Sequence, residues 1–388
     1  MRHRVPWKLA GEALLAVLLL ASMVVGVLLA LQPSGATYLR ILRYRDSGIE
    51  DFAIFPSRRV AASAKPFHLR DETAQGRVPH KVTLFSSEPQ ALDGLLDDNG
   101  TVAFLVARDD VLLYEHYFHG HTRASPSLVF SVSKSLLSLL VGIAVADGRL
   151  PPIDTPVTRL VPELASAGYG AVTLEHLLQQ TSGMDYEESD NPFSLHPHMY
   201  YGDNLEPRLL RLGLREQPGT HFAYASGNAE LMGLALSRAL RPQSISAYFQ
   251  QRVWGPIGAE YDAAWAVDHE GGLEKTFCCF SARAIDLVKI GLLYLHGGAW
   301  QGRQLVPNQW VARSTREGER DGSVWYYQLG WWRLTPGDPA FAAVGHLGQY
   351  VFVFPAQRIV IVRLGHDHGR LSTQDWGQLA RYVAAHTR

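Results

Sequence analysis

Phe130-Ser131-Val132-Ser133-Lys134-Ser135 runs without a break into Leu136-Leu137-Ser138-Leu139-Leu140-Val141-Gly142-Ile143-Ala144. The second part is apolar enough to be a helix buried in a domain interior, so the rest of the chain must be organised around it. It sets Ser131 and Lys134 in that helix's first turn. Residues at i and i+3 share a helix face, which makes the hydroxyl and the amine neighbours. Ser131 also sits where free backbone N–H groups and the helix dipole favour a developing negative charge. A hydroxyl beside an amine, near backbone donors, is a nucleophile with its base and half an oxyanion hole.

A bare Ser-x-x-Lys arises by chance about once or twice in a chain of this length, as an N-capping serine and a solvated lysine. Two features oppose that reading here. Lysine is scarce, confined to Lys8, Lys65, Lys81, Lys134, Lys275 and Lys289, and Lys134 opens a helix too apolar to expose it. A lysine carried into an apolar site has its pKa lowered, as a general base near neutrality requires.

At 388 residues, 47% hydrophobic and 19% charged, the chain fits a globular class of about two domains and not disorder. A net charge of -1 without a Lys/Arg-rich block gives no electrostatic ground for nucleic-acid binding. The two cysteines, Cys278 and Cys279, are adjacent. Disulfide geometry strains so small a ring, so two buried free thiols are expected. Arg2, Arg4 and Lys8 precede an apolar run from Ala13 to Leu31, long enough to span a bilayer. The expectation is an uncleaved anchor with the N-terminus in the cytoplasm, although Arg40, Arg43 and Arg45 on the far side make the flanking charge nearly symmetric. The alternative is secretion after cleavage near Ser34-Gly35-Ala36.

Residues 1–36 are thus read as anchor or signal peptide and 37–94 as a connector. Thr101–Ala107 and Val111–Tyr117, split by Arg108-Asp109-Asp110, predict a β-hairpin leading to the Ser131 helix. Residues 151–320 read as mainly helical, with helices near Thr173–Gln180, Asn228–Ala239, Ile245–Val253 and Ala282–Leu295. Strands return at Tyr350–Phe354 and Arg358–Leu364, and Asp375–His386 predicts a closing amphipathic helix. The fold class expected over 95–388 is α/β. Residues 95–150 and 321–388 form an antiparallel sheet flanked by N- and C-terminal helices, interrupted by the helical part and preceded by one transmembrane helix.

Two further segments complete a chemistry. Phe222-Ala223-Tyr224-Ala225-Ser226-Gly227-Asn228 puts a tyrosine in a tight polar loop before a helix, and Val344-Gly345-His346-Leu347-Gly348-Gln349-Tyr350 runs into the late strand. In this order, Ser131-Val132-Ser133-Lys134, Tyr224-Ala225-Ser226 and His346-Leu347-Gly348 resemble the three motifs of the serine β-lactamase and penicillin-binding-protein superfamily. The match is to its class C-like branch of esterases, DD-peptidases and 6-aminohexanoate-dimer hydrolases. Gln180-Thr181-Ser182-Gly183-Met184, Trp254-Gly255-Pro256-Ile257-Gly258 and Leu329-Gly330-Trp331-Trp332 are similar to flanking phrases of that family.

The resemblance implies that Ser131 forms an acyl-enzyme and that Lys134 and Tyr224 share the proton work, with the cationic amine holding the phenol partly ionised. It implies an oxyanion hole from the backbone N–H groups of Ser131 and Gln349, and no metal or organic cofactor. His346, Gly348, Ser226, Asn228, Tyr186 and Asp185 are the expected substrate-binding residues. The sequence departs from the antibiotic-handling members where His346 replaces the third-motif lysine and Ser226 the asparagine of the second. Both changes weaken recognition of a β-lactam carboxylate and side-chain amide, and favour esters or linear amides. β-Lactamase or DD-peptidase activity is the alternative, and a slowly deacylating ligand sensor is the reading from another class. His119-Gly120-His121, His196-Pro197-His198 and His366-Asp367-His368 have a spacing seen in metal sites, yet such pairs read as surface loops.

Overall fold

The structure is a computed structural model and describes residues 7–31, 35–84, 88–320 and 322–388. The chain divides into two compact units, one formed by Met1–Ser47 with Ser189–Asp203, the other by Gly48–Glu188 with Asn204–Arg388.

In the first unit, helix α1 (Trp7–Leu31) is followed by a helix over Gly35–Tyr44, which packs on the short helix Leu195–Tyr200. Tyr38 meets His198 edge-on at 4.5 Å and Tyr44 stacks on Tyr201 at 6.0 Å. The expected bilayer-spanning anchor is not supported. Among the described residues no helix is long and apolar enough to cross a membrane. Ser34 of the suggested cleavage site lies outside the described residues.

The second unit is built on an eight-stranded sheet. Its strands are β1 (Arg70–Asp71), β2 (Thr101–Arg108), β3 (Val111–Tyr117), β4 (Tyr327–Gln328), β5 (Trp331–Arg333), β6 (Phe341–Gly345), β7 (Gln349–Phe354) and β8 (Ile359–Gly365). They lie in the order β4-β5-β6-β7-β8-β2-β3-β1, antiparallel throughout except for β1 beside β3. The first and last parts of the unit thus share one sheet, joined where β8 pairs with β2, Ile361 opposite Val106.

β7 and β8 are apolar at nearly every position because both faces of the sheet are covered. Phe352, Phe354 and Ile361 point to one side, where Trp376, Leu379 and Val383 of the C-terminal helix α7 (Thr373–His386) close a core with Leu92 and Leu96 of α2 (Leu92–Asp98). Val351 and Val360 point to the other, against Gly291 of α6 (Ala284–Leu295). A Cβ on Gly291 would lie 2.5 Å from Val360, so glycine sets how closely that helix approaches the sheet.

The apolar run after Lys134 becomes α3 (Val132–Ala146), buried from Val132 to Ala144. Gly142 faces the indole of Trp310, which a Cβ would meet at 2.3 Å. Two more helices frame the site: α4 (Leu174–Gln179), closed by a capping box between Thr173 and His176, and α5 (Ser226–Leu240).

A second, four-stranded sheet runs Ser57–Val60, Ala263–Ala266, Phe280–Ala282, Ser127–Leu128. It takes in part of the expected connector and fixes the approach to Ser131, since Val129 N donates to Phe280 O at 2.9 Å. Cys278 and Cys279 are joined by a disulfide, contrary to the expected free thiols. The tight bend at this point, where Phe280 N donates to Cys278 O at 2.8 Å, brings the neighbouring sulfurs to one side of the chain.

Candidate active site

Phe130 adopts φ +47°, the left-handed region, and Ser131 returns to φ -66°, ψ -5° as the N-cap of α3. A non-glycine residue in that conformation costs on the order of 1–3 kcal/mol and is retained where its surroundings enforce it. The kink turns the chain from the second sheet into the helix and leaves Ser131 half-buried at its mouth. Val132, Ser133 and Lys134 donate back to the carbonyls of Val129, Phe130 and Ser131, so the Ser131 N–H stands ahead of the first helical bond.

One turn deeper, Lys134 is 4% exposed. Its Nζ lies 2.9 Å from Ser131 Oγ, 3.1 Å from Ser226 Oγ and 2.8 Å from the carbonyl oxygen of Phe277. The ring of Tyr224 faces the same nitrogen, with its centroid 4.9 Å away. Burial pushes the Lys134 ammonium down to about 8, against the opposing pull of Glu188 and Glu230. An amine with that pKa is available as a proton acceptor near neutrality.

Tyr224 reaches this point from a loop tied to Gln180: Ala223 N donates to Gln180 O at 2.8 Å and Ala225 N to Gln180 Oε1 at 2.9 Å. Its ring rests against Trp332 and Tyr327, with centroids at 5.6 and 6.1 Å. Burial, then the Glu188 carboxylate, pushes the phenol up, while its contact with the Ser131 hydroxyl pulls the other way. The resemblance-based expectation of a partly ionised phenol is therefore reversed. Enclosure of the phenol and the Glu188 carboxylate beside it outweigh what the neighbouring amine does for a phenolate.

The expected binding residues divide. Ser226, 2% exposed, touches Lys134, and its N–H donates to the Glu188 carboxylate. Tyr186 packs its ring on Gly227, close enough to Tyr224, Glu188 and Glu230 for their charges to raise its phenol further. His346 lies exposed, edge-on to Phe130 with centroids 5.4 Å apart. Asn228 is 1% exposed and its amide is engaged by Gln180 Oε1 and Ser182 Oγ, which locks the Thr181-Ser182-Gly183 turn to α5. Asp185 is exposed and pairs with Arg215 at 2.8 Å. Gly348, at φ +76°, lies against the guanidinium of Arg363, where a Cβ would be 2.0 Å from Nη1.

Gln349 heads β7 with its side chain fully enclosed, Nε2 donating to the carbonyls of His346, Leu347 and Gly365. Gly345, paired with Gln349 across the hairpin, is pressed against the nucleophile: a Cβ there would lie 2.3 Å from Val129 O and 3.4 Å from Ser131 N.

Three participants escaped the sequence reading. Phe277 contributes its carbonyl, for which no residue type is a signal, and its ring centroid lies 5.9 Å from Lys134 Nζ. Glu188 follows the Thr181-Ser182-Gly183 turn in an acidic run that reads as a solvated loop. Glu230, 0% exposed on α5, holds Thr276 by both its N–H and its hydroxyl and so steadies the segment that bears the Phe277 carbonyl. Among the described residues no group of three or more His, Cys, Asp or Glu side chains is placed to hold a metal ion.

Residues 90–384 match the family described as Beta-lactamase. The 6-aminohexanoate-dimer hydrolase of Paenarthrobacter ureafaciens is 28% identical over 295 residues, covering 70% of this chain and 74% of that protein. Esterase EstB of Burkholderia gladioli is 31% identical over 139 residues, 34% of each chain. Among solved structures, a Bacillus anthracis protein provisionally assigned as a 6-aminohexanoate-dimer hydrolase superposes with a TM-score of 0.77 at 21% identity, covering 89% of this chain and 94% of its own. The α/β fold is thus β-lactamase-like, and the chain belongs to the β-lactamase family. It is a serine hydrolase of that family.

Proposed function

We propose that the protein cleaves an ester or a linear amide through an acyl-enzyme on Ser131. The observation that carries this reading is the 2.9 Å approach of Lys134 Nζ to Ser131 Oγ, with the amine at about 8. Lys134 accepts the Ser131 proton as Oγ attacks the substrate carbonyl, and the Phe277 carbonyl and Ser226 hydroxyl hold the amine in place. Tyr224, kept protonated by burial, donates to the leaving alcohol or amine and is recharged from Lys134. Water then hydrolyses the ester on Ser131, releasing the acid and the free alcohol.

The oxyanion of the tetrahedral intermediate sits between the N–H of Ser131 and that of His346. His346 replaces Gln349 in this role because it follows directly on Gly345, the residue against the Ser131 amide. Ser226 and His346 in place of an amide and an ammonium leave little to recognise a β-lactam carboxylate. Linear amides or esters are accordingly preferred, in keeping with the 6-aminohexanoate dimer named for the Paenarthrobacter relative and the esterase activity named for the Burkholderia one.

The test is steady-state hydrolysis of a short-chain p-nitrophenyl ester, an ω-amino amide and a penicillin, with Ser131→Ala as control. Turnover of the first or second that vanishes in the control supports the reading. A burst without turnover, or preference for the penicillin, contradicts it.

A further inference from the structure

Arg363 is a buried cation outside the catalytic group. It sits in β8 with 0% exposure, and its neighbours in the strand are all apolar. Burying a guanidinium is expensive unless its donors are satisfied. Here they are directed mainly at main-chain carbonyls. Nη1 donates to Leu347 O at 3.0 Å and Gly348 O at 2.8 Å, and Nη2 to Asn99 O at 2.6 Å and Asp367 O at 2.8 Å. Nε donates to Thr101 Oγ1 at 3.2 Å, and the guanidinium carbon lies 4.2 Å from the centroid of the Trp376 ring. Gly348 and Gly365 leave the space, since a Cβ on either would come within 2.1 Å of the guanidinium.

Two of these four carbonyls, those of Leu347 and Gly348, belong to the turn His346–Gly348 between β6 and β7. Gln349 Nε2 takes those of His346 and Leu347 from the same side. All three carbonyls of the turn are therefore drawn towards Arg363 and Gln349. In a trans peptide C=O and N–H point in opposite directions, so this fixes the planes that carry the N–H groups of Leu347, Gly348 and Gln349, and the His346 N–H, in the plane of the Gly345 carbonyl, is held through the chain that enters this turn. Leu347 is held at φ +58° within it, a conformation that a loose turn would relax.

We infer that Arg363 is a positioning residue for the oxyanion hole. By clamping the carbonyls of Leu347 and Gly348 it holds the turn that begins at His346 in register with the Ser131 amide. The inference rests on the ester- or amide-cleaving reading and adds a residue to it that does not touch substrate. Its signature is a loss confined to the tetrahedral state: kcat falls, KM does not, and a boronic acid that copies the tetrahedral adduct binds more weakly.

The experiment uses the full chain with Arg363→Lys, which keeps the charge but loses the fork, and Gly365→Ala, which displaces the guanidinium without removing it. Each is assayed on a short-chain p-nitrophenyl ester and with an arylboronic acid, beside thermal melts and Ser131→Ala. The expected result, in a variant that melts cooperatively, is a fall in kcat of about 30- to 100-fold with KM within about threefold, and a parallel weakening of the boronate. A folded variant with kcat within about threefold of wild type overturns the inference. So does loss of the folded state in both variants, which would make Arg363 a residue of stability alone. If Ser131→Ala retains the activity, the underlying reading has failed instead, and the two failures are thereby told apart.

Discussion

Lys134 donates from Nζ to the main-chain carbonyl of Phe277 at 2.8 Å, across 143 residues of sequence. That bond ties the helix carrying the nucleophile to the segment that follows the Glu230–Thr276 contact. The amine is aimed at Ser131 by groups that are not themselves reactive. Its low pKa follows from the same enclosure, so geometry and proton affinity have one cause.

The pH dependence of catalysis should report this amine. With Lys134 at about 8, kcat/KM for a p-nitrophenyl ester is expected to rise as the base is freed and to level off above an apparent pKa near 8. A profile flat between roughly pH 6 and 9 would assign the base elsewhere.

Lys134→Met should abolish turnover and stabilise the fold. The ammonium falls from 10.5 to about 8 in the folded state, equivalent to as much as about 3 kcal/mol at pH 7, less the hydrogen bonds lost. Between about 8 and 10.5 the unfolded chain binds more protons, so wild-type stability rises with pH through that window. The advantage of the variant, on the order of 1–3 kcal/mol at pH 7, should shrink by pH 10 in urea titrations. A variant no more stable than wild type at pH 7 would mean that the site accommodates the charge.

Glu230→Gln isolates the buried carboxyl under the Phe277 segment. Burial pushes Glu230 up to about 8, with the Thr276 hydrogen bonds opposing it. The unfolded chain loses this proton first, so wild-type stability falls as pH rises from about 4.5 to about 8, and the glutamine variant escapes the fall. Its stability gain should widen between pH 5 and 8. A constant gap would show that the carboxylate is ionised at no cost.

Gly345→Ala should damage catalysis without a backbone penalty, since Gly345 has φ -125°. The added methyl must push against Val129 O, displacing either β6 or the Ser131 amide. A loss in kcat of about 100-fold with a cooperative melt is expected, and near-normal kcat would place the second oxyanion donor away from His346.

Much of the site was legible because its core is local. Ser131 and Lys134 are three apart on one helix, and the apolar run behind them could only be interior. The hairpins of β2–β3 and β7–β8 were readable from β-branched runs and turn residues. What stayed hidden depends on long-range enclosure. Arg363 stands in an apolar strand where either face would suit it, until the sheet closes around it. Asn228 resembles a ligand-binding amide by spacing but is turned inwards onto Gln180 and Ser182. The family resemblance implies a partly ionised Tyr224, yet burial raises the phenol while it lowers Lys134. The Cys278–Cys279 bridge and the position of the Phe277 carbonyl follow from one bend, for which the sequence carries no periodic signal.

The most direct test is intact-mass analysis after treatment with a fluorophosphonate. Wild type should gain a single adduct, mapped to Ser131, and Ser131→Ala should gain none, with labelling sharply reduced in Lys134→Ala. Undiminished labelling of Ser131→Ala would contradict the account, because the alcohol activated by the buried lysine would not be the nucleophile.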